Sequence, residues 1–210
     1  MAEIKLCGIS RKEDIRLVNE LKPEYIGFVF WKKSKRHVSK EQAARLKKEL
    51  DPSVKTVGVF VDADFSYVVD LLEEGIIDIA QLHGQENDDY IESLRKKTDK
   101  SVIKAYIVKS MEDINNANKS KADFVLMDSG KGSGTTCNWQ LLQSMTRPYF
   151  LAGGLTISNV TEAIESLEPY AVDVSSGIET DGIKDAGKMR TFVKLVRNEN
   201  QIQDRNEGMI

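Results

Sequence analysis

The sequence predicts an α/β protein, a compact single-domain (β/α)8 barrel. Short apolar runs alternate along the chain with longer amphipathic stretches, a pattern that is typical of strand–helix units around a parallel sheet. Eight such units are complete by residue 196, and eight is the number of strands that closes a barrel, whereas an open doubly wound sheet usually has fewer. Residues 1–197 are therefore predicted to form the barrel domain. Residues 198–210 are a polar C-terminal tail that we expect to fray.

The predicted strands are short runs of Ile, Val, Leu and Phe, and several are continuously apolar, as expected of strands that are buried on both faces. They cover residues 4–7, 25–30, 55–61, 77–82, 102–106, 124–128, 149–151 and 170–174. In such barrels the functional residues lie at the C-terminal ends of the strands and in the loops that follow. These eight positions are therefore where we look for chemistry.

The helix-like segments between the strands carry apolar residues three and four positions apart. They cover residues 12–21, 40–50, 65–72, 90–95, 111–117, 139–143, 158–166 and 184–196. The predicted N-caps, which precede the first periodic residue, are Ser10, Ser39, Asp64 and Ser110. Ser10 with Glu13, and more loosely Ser110 with Asp113, have the spacing of a capping box.

The composition excludes several classes of function. The net charge of −3 gives no basic footprint for nucleic acid, and no apolar run approaches the roughly 18 residues that a membrane span requires. Cys7 and Cys137 are far apart and form no disulfide framework, which suits a reducing compartment, so we expect a cytoplasmic protein. His37 and His83 belong to no cluster with metal-ligand spacing, so we expect no metal site.

Three strand ends carry residues that have two open interpretations. Cys7 ends the first strand, as either a small buried hydrophobe or, in a chain so poor in histidine, a functional thiol. Arg36 lies in the basic segment 32–36 after the second strand, which is either a solvated loop or a site for an anionic substrate. His83 follows the fourth strand, as either a base or a structural hydrogen-bonding residue.

Strands six to eight carry stronger signals. Asp128 ends the sixth strand after four apolar residues, where a carboxylate is expensive to bury without a purpose. The glycine-rich segment that follows it, with Gly132 and Gly134, is typical of a lid. In these barrels the loops after strands seven and eight commonly bind a phosphate with the N-terminus of a short helix. The predicted phosphate-binding residues are Gly153, Gly154, Ser175, Ser176 and Gly177.

Seven segments between residues 4 and 196, in order and with compatible spacing, resemble the phosphoribosylanthranilate isomerase family. They are KLCG at 5–8, GFVF at 27–30 with SKR at 34–36, VGVF at 57–60, QLHG at 81–84, Asp128 with its glycine-rich segment, AGGL at 152–155 and DVSSGIE at 173–179. Any one of these segments is a weak signal, but seven in sequence are highly specific. The sequence departs from the family pattern at Lys35, Lys131, Ser133, Cys137 and Asn138.

The resemblance implies a (β/α)8 enzyme of tryptophan biosynthesis that carries out an Amadori rearrangement without a cofactor. The substrate would be N-(5-phosphoribosyl)anthranilate and the product 1-(2-carboxyphenylamino)-1-deoxyribulose 5-phosphate. The resemblance assigns the general base to Cys7 and the general acid to Asp128. The expected substrate-binding residues are Arg36, at the anthranilate end, with His83, Gly132 and Gly134. We expect a small phosphosugar as partner, no nucleic acid or membrane, and a monomer or weak homodimer.

Other enzymes of the same architecture fit less well. The related isomerase of histidine biosynthesis is expected to have an aspartate where this chain has Cys7. Indole-glycerol phosphate synthase needs a set of rim lysines, and ribulose-phosphate epimerases need metal-binding His and Asp at strand ends, and we find neither. The alternative from a different class is a non-catalytic barrel that binds phosphosugars. The presence of both an acid and a base candidate at the rim argues against it.

Overall fold

A closed barrel of eight parallel strands forms the centre of the protein, as predicted. The computed structural model describes the backbone of residues 2–129 and 139–207, and the side chains of residues 2–129 and 139–197. Each strand pairs with its neighbours in chain order, and the first strand pairs with the eighth. The strands are β1 (Glu3–Cys7), β2 (Tyr25–Val29), β3 (Lys55–Phe60), β4 (Ile79–Leu82), β5 (Ser101–Ile107), β6 (Phe124–Asp128), β7 (Tyr149–Ala152) and β8 (Ala171–Val174).

Helices in the described part of the chain alternate with these strands and pack on the outside of the barrel. They are α1 (Lys12–Leu21), α2 (Lys40–Lys48), α3 (Phe65–Glu73), α4 (Asp88–Arg95), α5 (Met111–Lys119), α6 (Trp139–Leu142), α7 (Val160–Leu167) and α8 (Ala186–Glu207). In this part of the chain, no helix combines the length and the apolar character that crossing a membrane requires.

The strands contribute to two separate apolar cores because successive residues of a strand point to opposite faces. Outward residues such as Leu6, Phe28 and Met127 pack with the helices in the larger core. Inward residues such as Val57 and Leu126 fill the barrel. A strand that is apolar on both faces appears in the sequence as a continuous apolar run, which is why the strand positions could be predicted.

Aromatic side chains close the N-terminal end of the barrel. The ring centroids of Tyr25 and Phe150 lie 5.4 Å apart, and those of Phe124 and Tyr170 lie 5.5 Å apart. Phe124 also contacts Phe150 edge to face at 5.7 Å. Because this end is filled, the C-terminal end of the barrel is the one available for chemistry, in agreement with the location expected for this fold.

The capping box predicted from Ser10 and Glu13 is wrong. Arg11 is the N-cap of α1, and its backbone N–H donates to Asp14 Oδ2 at 3.1 Å. The Asp14 side chain is 2% exposed and also accepts the backbone N–H of Ser10 at 3.4 Å. The buried carboxylate satisfies the free N–H groups of the helix start, whereas Glu13 remains exposed to solvent.

The other caps follow the prediction more closely. Ser39 caps α2, since its side chain accepts the backbone N–H of Gln42 at 3.2 Å. Ser110 and Asp113 form the predicted capping box, in which Asp113 Oδ2 accepts the Ser110 backbone N–H at 2.9 Å. Asp64 occupies the N-cap position of α3 without a side-chain capping bond.

A short hairpin after β8 was not predicted. Its strands are β9 (Glu179–Thr180) and β10 (Ile183–Lys184). Asp181 and Gly182 join them with φ values of 52° and 78°, the left-handed conformations that a two-residue hairpin turn requires. Lys184 was predicted to begin the last helix and instead lies in β10.

Helix α8 begins at Ala186 and continues to Glu207, beyond residue 196 where the predicted helix ends. The apolar periodicity stops there, and it was this periodicity that set the predicted boundary. No glycine or proline occurs between Gly187 and Gly208, so the chain contains no residue that would end the helix earlier. The backbone of residues 198–207 is thus helical rather than frayed.

Candidate active site

A cavity of about 280 Å³ opens at the C-terminal end of the barrel, where the sequence predicted it. Most of the predicted site residues line this cavity: Cys7, Arg36, His83, Asp128, Gly153, Gly154, Ser175 and Ser176. Gly177 lies in the short 3-10 turn that follows β8. The predicted substrate-binding residues Gly132 and Gly134 lie outside the described residues.

A larger depression of about 800 Å³ lies at the opposite end of the barrel, beside the ends of α6 and α7. Arg147 lines this depression, and its guanidinium group donates to the backbone oxygens of Ser120 and Ala122 at 2.7 Å each. Because these structural hydrogen bonds occupy the guanidinium group, we do not interpret this depression as a functional site.

Cys7 ends β1 with its side chain in the mouth of the barrel, and it is 8% exposed. Gly27 on the neighbouring strand leaves space for the thiol, because a Cβ at this position would lie 2.6 Å from Cys7 Sγ. Burial raises the pKa of the Cys7 thiol, and the charge of Asp173 adds to this rise, whereas the ammonium groups of Lys5 and Lys184 oppose it. The thiol is therefore a poorly ionised group with two cations in its surroundings.

A buried ion pair lies one layer deeper in the barrel than the thiol. Lys5 Nζ is 2.8 Å from Asp173 Oδ2, and the two side chains are 0% and 8% exposed. The residues are direct neighbours in the pairing of β1 with β8. Asp173 also lines the cavity, and its Oδ1 has no hydrogen-bond partner among the described residues. The signal for this pair in the sequence is the presence of charged residues inside two otherwise apolar strands.

Asp128 ends β6 with a side chain that is 24% exposed. His83 Nε2 lies 3.3 Å from Asp128 Oδ2, and Gln81 Nε2 lies 3.2 Å from His83 Nδ1. Gly153 leaves space on the other side, since a Cβ there would lie 2.5 Å from Asp128 Oδ1. The contacts of His83 favour the hydrogen-bonding interpretation of this residue, at a position where it orients Asp128.

Two adjacent loops, after β7 and β8, form the remaining wall. Gly153 and Gly154 have φ values of 87° and 66°, which favour glycine. A Cβ on Gly177 would lie 1.9 Å from the Leu155 carbonyl oxygen, so glycine allows the two loops to pack together. The described residues hold no hydrogen-bond partner for the backbone N–H groups of Gly154, Ser176 and Gly177. Free N–H groups beside a cavity favour the binding of an anion.

Arg36 is the residue of the basic segment that lines the cavity, whereas the side chains of Lys32, Lys33 and Lys35 are exposed. The lysines thus fit the interpretation as a solvated loop, and the interpretation as a site for an anionic substrate stays a prediction for Arg36. The Arg36 side chain crosses Gly8, where a Cβ would lie 2.4 Å from Arg36 Cδ. This close approach places a guanidinium group beside the strand end that carries the thiol.

Glu179 and Lys184 contact residues that line the cavity, although neither was among the predicted site residues. Arg36 donates from Nε and Nη2 to the two carboxylate oxygens of Glu179, at 2.6 Å each. Lys184 Nζ donates to Glu179 Oε1 at 2.7 Å and to the Ser175 carbonyl oxygen at 2.9 Å. The sequence signals were the DVSSGIE segment, which ends at Glu179, and the Asp181–Gly182 turn. Neither signal indicates the contacts that the Glu179 and Lys184 side chains make.

The cavity thus combines a thiol, a carboxyl group, a guanidinium group and backbone N–H groups that have no partner among the described residues. An acid and a base that face one cavity are suited to moving a proton from one position of a bound molecule to another. Among the described side chains, those of residues 2–129 and 139–197, no group of three or more His, Cys, Asp or Glu is arranged to hold a metal ion.

A known family matches most of the chain. Residues 4–195 match the family model of N-(5'phosphoribosyl)anthranilate (PRA) isomerase. The N-(5'-phosphoribosyl)anthranilate isomerase of Endomicrobium trichonymphae is 43% identical over 203 residues, which covers 94% of this chain and 100% of that protein. The isomerase of Thermoanaerobacter pseudethanolicus is 44% identical over 204 residues, with 94% and 98% covered.

Solved structures give the same result. Phosphoribosyl anthranilate isomerase from Thermotoga maritima superposes with a TM-score of 0.87 at 35% identity, over 94% of this chain and 100% of that chain. A phosphoribosyl anthranilate isomerase in complex with reduced 1-(o-carboxyphenylamino)-1-deoxyribulose 5-phosphate superposes with a TM-score of 0.84, at the same identity and coverage.

The buried thiol allows a test that needs no substrate. Because burial raises the pKa of Cys7, we expect its alkylation by iodoacetamide to reach half of its maximal rate above the pH of about 8.5 that is typical of a free cysteine. Lys5→Met removes a cation that opposes this rise and should move the midpoint to a still higher pH. Mass spectrometry of the peptides separates Cys7 from Cys137.

Lys48→Met is the control, because it removes the same charge from an exposed position at the end of α2. It should leave the midpoint of Cys7 alkylation unchanged. A midpoint that stays constant or falls in Lys5→Met, in a protein whose thermal unfolding remains cooperative, would show that Lys5 does not act on the thiol.

Proposed function

This chain belongs to the N-(5'-phosphoribosyl)anthranilate isomerase family of tryptophan biosynthesis, and we propose that Cys7 is the general base and Asp128 the general acid of the isomerisation. The reaction is an Amadori rearrangement of N-(5-phosphoribosyl)anthranilate to 1-(2-carboxyphenylamino)-1-deoxyribulose 5-phosphate. The observation that carries the proposal is that the thiol, the carboxyl group and the two glycine-containing loops line one cavity.

Asp128 acts first, by donating a proton to the furanose ring oxygen. The ring opens, and the nitrogen lone pair forms a protonated Schiff base with C1. If Gln81 donates to His83 Nδ1, then His83 Nε2 carries a hydrogen, and this atom lies 3.3 Å from Asp128 Oδ2. The imidazole thereby stabilises the carboxylate that remains after the proton has been donated.

Cys7 acts second, as a thiolate. The Schiff base cation acidifies the proton on C2, and the thiolate removes this proton to give an enolamine that tautomerises to the ketone. Lys5 and Lys184 favour the thiolate, while burial disfavours it. The cationic intermediate adds a further positive charge beside the sulfur, which also favours the ionised form. Burial thus leaves few thiolates in the free enzyme but makes each of them a stronger base.

The two anionic ends of the substrate have separate binding groups. The phosphate binds at the loops after β7 and β8, supported by the unpaired N–H groups of Gly154, Ser176 and Gly177. Arg36 binds the anthranilate carboxylate, which is the type of group that a guanidinium recognises. The contributions of Gly132 and Gly134 stay predictions.

We further propose a cytoplasmic location and a monomeric or weakly dimeric state. The free thiol of Cys7 supports a reducing compartment. One of the similar structures is described as monomers generated from the dimeric isomerase of Thermotoga maritima, so both states occur among proteins of this fold.

The activity has a direct test. The purified protein should consume N-(5-phosphoribosyl)anthranilate, followed by its fluorescence change, and its gene should restore growth without tryptophan to a strain that lacks this step. The gene with both Cys7→Ser and Asp128→Asn is the matched control and should not restore growth. A folded protein that neither consumes the substrate nor rescues the strain would rule out this function.

The roles of the acid and the base are tested singly. Asp128→Asn should lower kcat by about two to four orders of magnitude and change KM little, because a general acid acts mainly in the transition state. Cys7→Ser should lower kcat similarly and should also abolish the rise of kcat/KM with pH that thiol ionisation causes. Either variant retaining nearly full turnover would refute the corresponding assignment.

Gly153→Ala tests whether the loop after β7 sets the position of the acid. The control is Gly75→Ala, since Gly75 has a φ of 68° but no atom within 4 Å of its Cβ position. Gly75→Ala should lower the free energy of unfolding by about 1–2 kcal/mol through left-handed backbone strain. Gly153→Ala should lower it by more, because its Cβ would also lie 2.6 Å from the Ser129 backbone nitrogen. Only Gly153→Ala should lower kcat, because its methyl group displaces Asp128. Equal losses of kcat in both variants would attribute the effect to strain alone.

A further inference from the structure

One carboxylate, that of Glu179, is the common partner of two cations in the site. Arg36 binds both of its oxygens at 2.6 Å, and Lys184 Nζ binds Oε1 at 2.7 Å. The side chains of Glu179 and Lys184 are 6% and 2% exposed. A buried cation without a counterion is strongly unfavourable, so Lys184 depends on this carboxylate. Arg36 is 31% exposed and is oriented by the carboxylate, but it does not need the carboxylate as a buried cation would.

Lys184 extends this cluster to the phosphate-binding wall. Its ammonium group donates to the Ser175 carbonyl oxygen at 2.9 Å, and Ser175 Oγ donates to the Cys7 carbonyl oxygen at 3.1 Å. Lys184 therefore holds the first residue of the loop after β8 against the end of β1. A continuous series of contacts runs from Arg36 through Glu179 and Lys184 to Ser175.

The hairpin that carries Glu179 and Lys184 is itself held on both sides. Lys188 Nζ donates to the Glu179 carbonyl oxygen at 2.6 Å, and Thr180 Oγ1 donates to Asp185 Oδ2 at 2.8 Å. The backbone of Glu179 is thus restrained independently of its side chain. A change confined to the carboxylate should leave the hairpin in place.

The geometry of Arg36 is set by this carboxylate. The Glu179 carboxylate accepts hydrogen bonds from Arg36 Nε and Nη2, whereas Arg36 Nη1 has no hydrogen-bond partner among the described residues. A bidentate pair with a carboxylate fixes the plane of a guanidinium group. The contact with Glu179 therefore determines the direction in which the remaining N–H groups of Arg36 point.

We propose that Glu179 is a positioning residue that sets both anion-binding ends of the site, Arg36 directly and the phosphate loop through Lys184. This inference rests on the proposed function, because it uses the assignment of one substrate anion to each end. It predicts that one substitution weakens two distant contacts with the substrate, while the acid and the base, which Glu179 does not contact, keep most of their efficiency.

The test uses two probes that report the two ends separately. Inorganic phosphate, as a competitive inhibitor, reports the phosphate loop. N-(5-phosphoribosyl)aniline lacks the carboxylate. The difference between its KM and that of the full substrate therefore reports the contribution of Arg36. The variants are Glu179→Gln, Arg36→Gln and Lys184→Met, with Glu165→Gln on the exposed face of α7 as the matched control.

Glu179→Gln should raise KM for the full substrate about tenfold or more, raise KM for the aniline analogue less, and raise Ki for phosphate severalfold, with kcat within about threefold. Arg36→Gln should affect only the full substrate. Lys184→Met should weaken the binding of phosphate and of both substrates alike, and it should also lower kcat, because Lys184 favours the thiolate of Cys7. Glu165→Gln should change none of these constants.

Glu179→Asp is a second variant for the case that Glu179→Gln does not fold. It keeps the negative charge, but its side chain is one methylene shorter and cannot reach both cations. It should give intermediate effects in a protein with a cooperative thermal transition. If Arg36→Gln discriminates between the two substrates and Glu179→Gln does not, or if Ki for phosphate is unchanged in Glu179→Gln, the inference is overturned while the proposed function stands. If Arg36→Gln affects both substrates equally, the carboxylate role of Arg36 is wrong and the inference falls with it.

Discussion

The pairing of the first strand with the last is the interaction on which the rest of the structure depends. Lys5 and Asp173 are direct neighbours across this pairing although 168 positions separate them in the chain. Closure of the barrel buries their ion pair and places Cys7 beside the loop after β8, where Ser175 contacts its carbonyl oxygen. In an open sheet the thiol and the loop after β8 would lie at opposite edges.

Most of this architecture follows from local sequence. Strands that are buried on both faces must be apolar, so they are visible as short runs, and β6 was predicted at its observed bounds, Phe124–Asp128. Eight such runs imply a closed barrel, and parallel strands place all their C-terminal ends on one side. The position of Cys7 and Asp128 at a common mouth could therefore be predicted without coordinates.

The partners of these groups could not be predicted, because they depend on contacts between distant parts of the chain. Glu179 meets Arg36 across 143 positions, and no periodicity or motif marks it as the counterion of two cations. Lys184 precedes a periodic apolar stretch, and this pattern is typical of a helix start. Its place in a hairpin instead follows from the left-handed turn at Asp181 and Gly182.

The different burial of Cys7 and Asp128 agrees with the order in which they act in the proposed mechanism. Cys7 is 8% exposed, so its ionisation depends on Lys5, Lys184 and the charge of whatever occupies the cavity. Asp128 is 24% exposed and can regain a proton from water between turnovers. The substrate becomes cationic only after Asp128 has donated its proton, and only then is a further positive charge available to the buried sulfur. In this mechanism the carboxyl group therefore acts before the thiol, because the C2 proton becomes acidic only in the Schiff base, and the burial of the thiol increases its dependence on that cation.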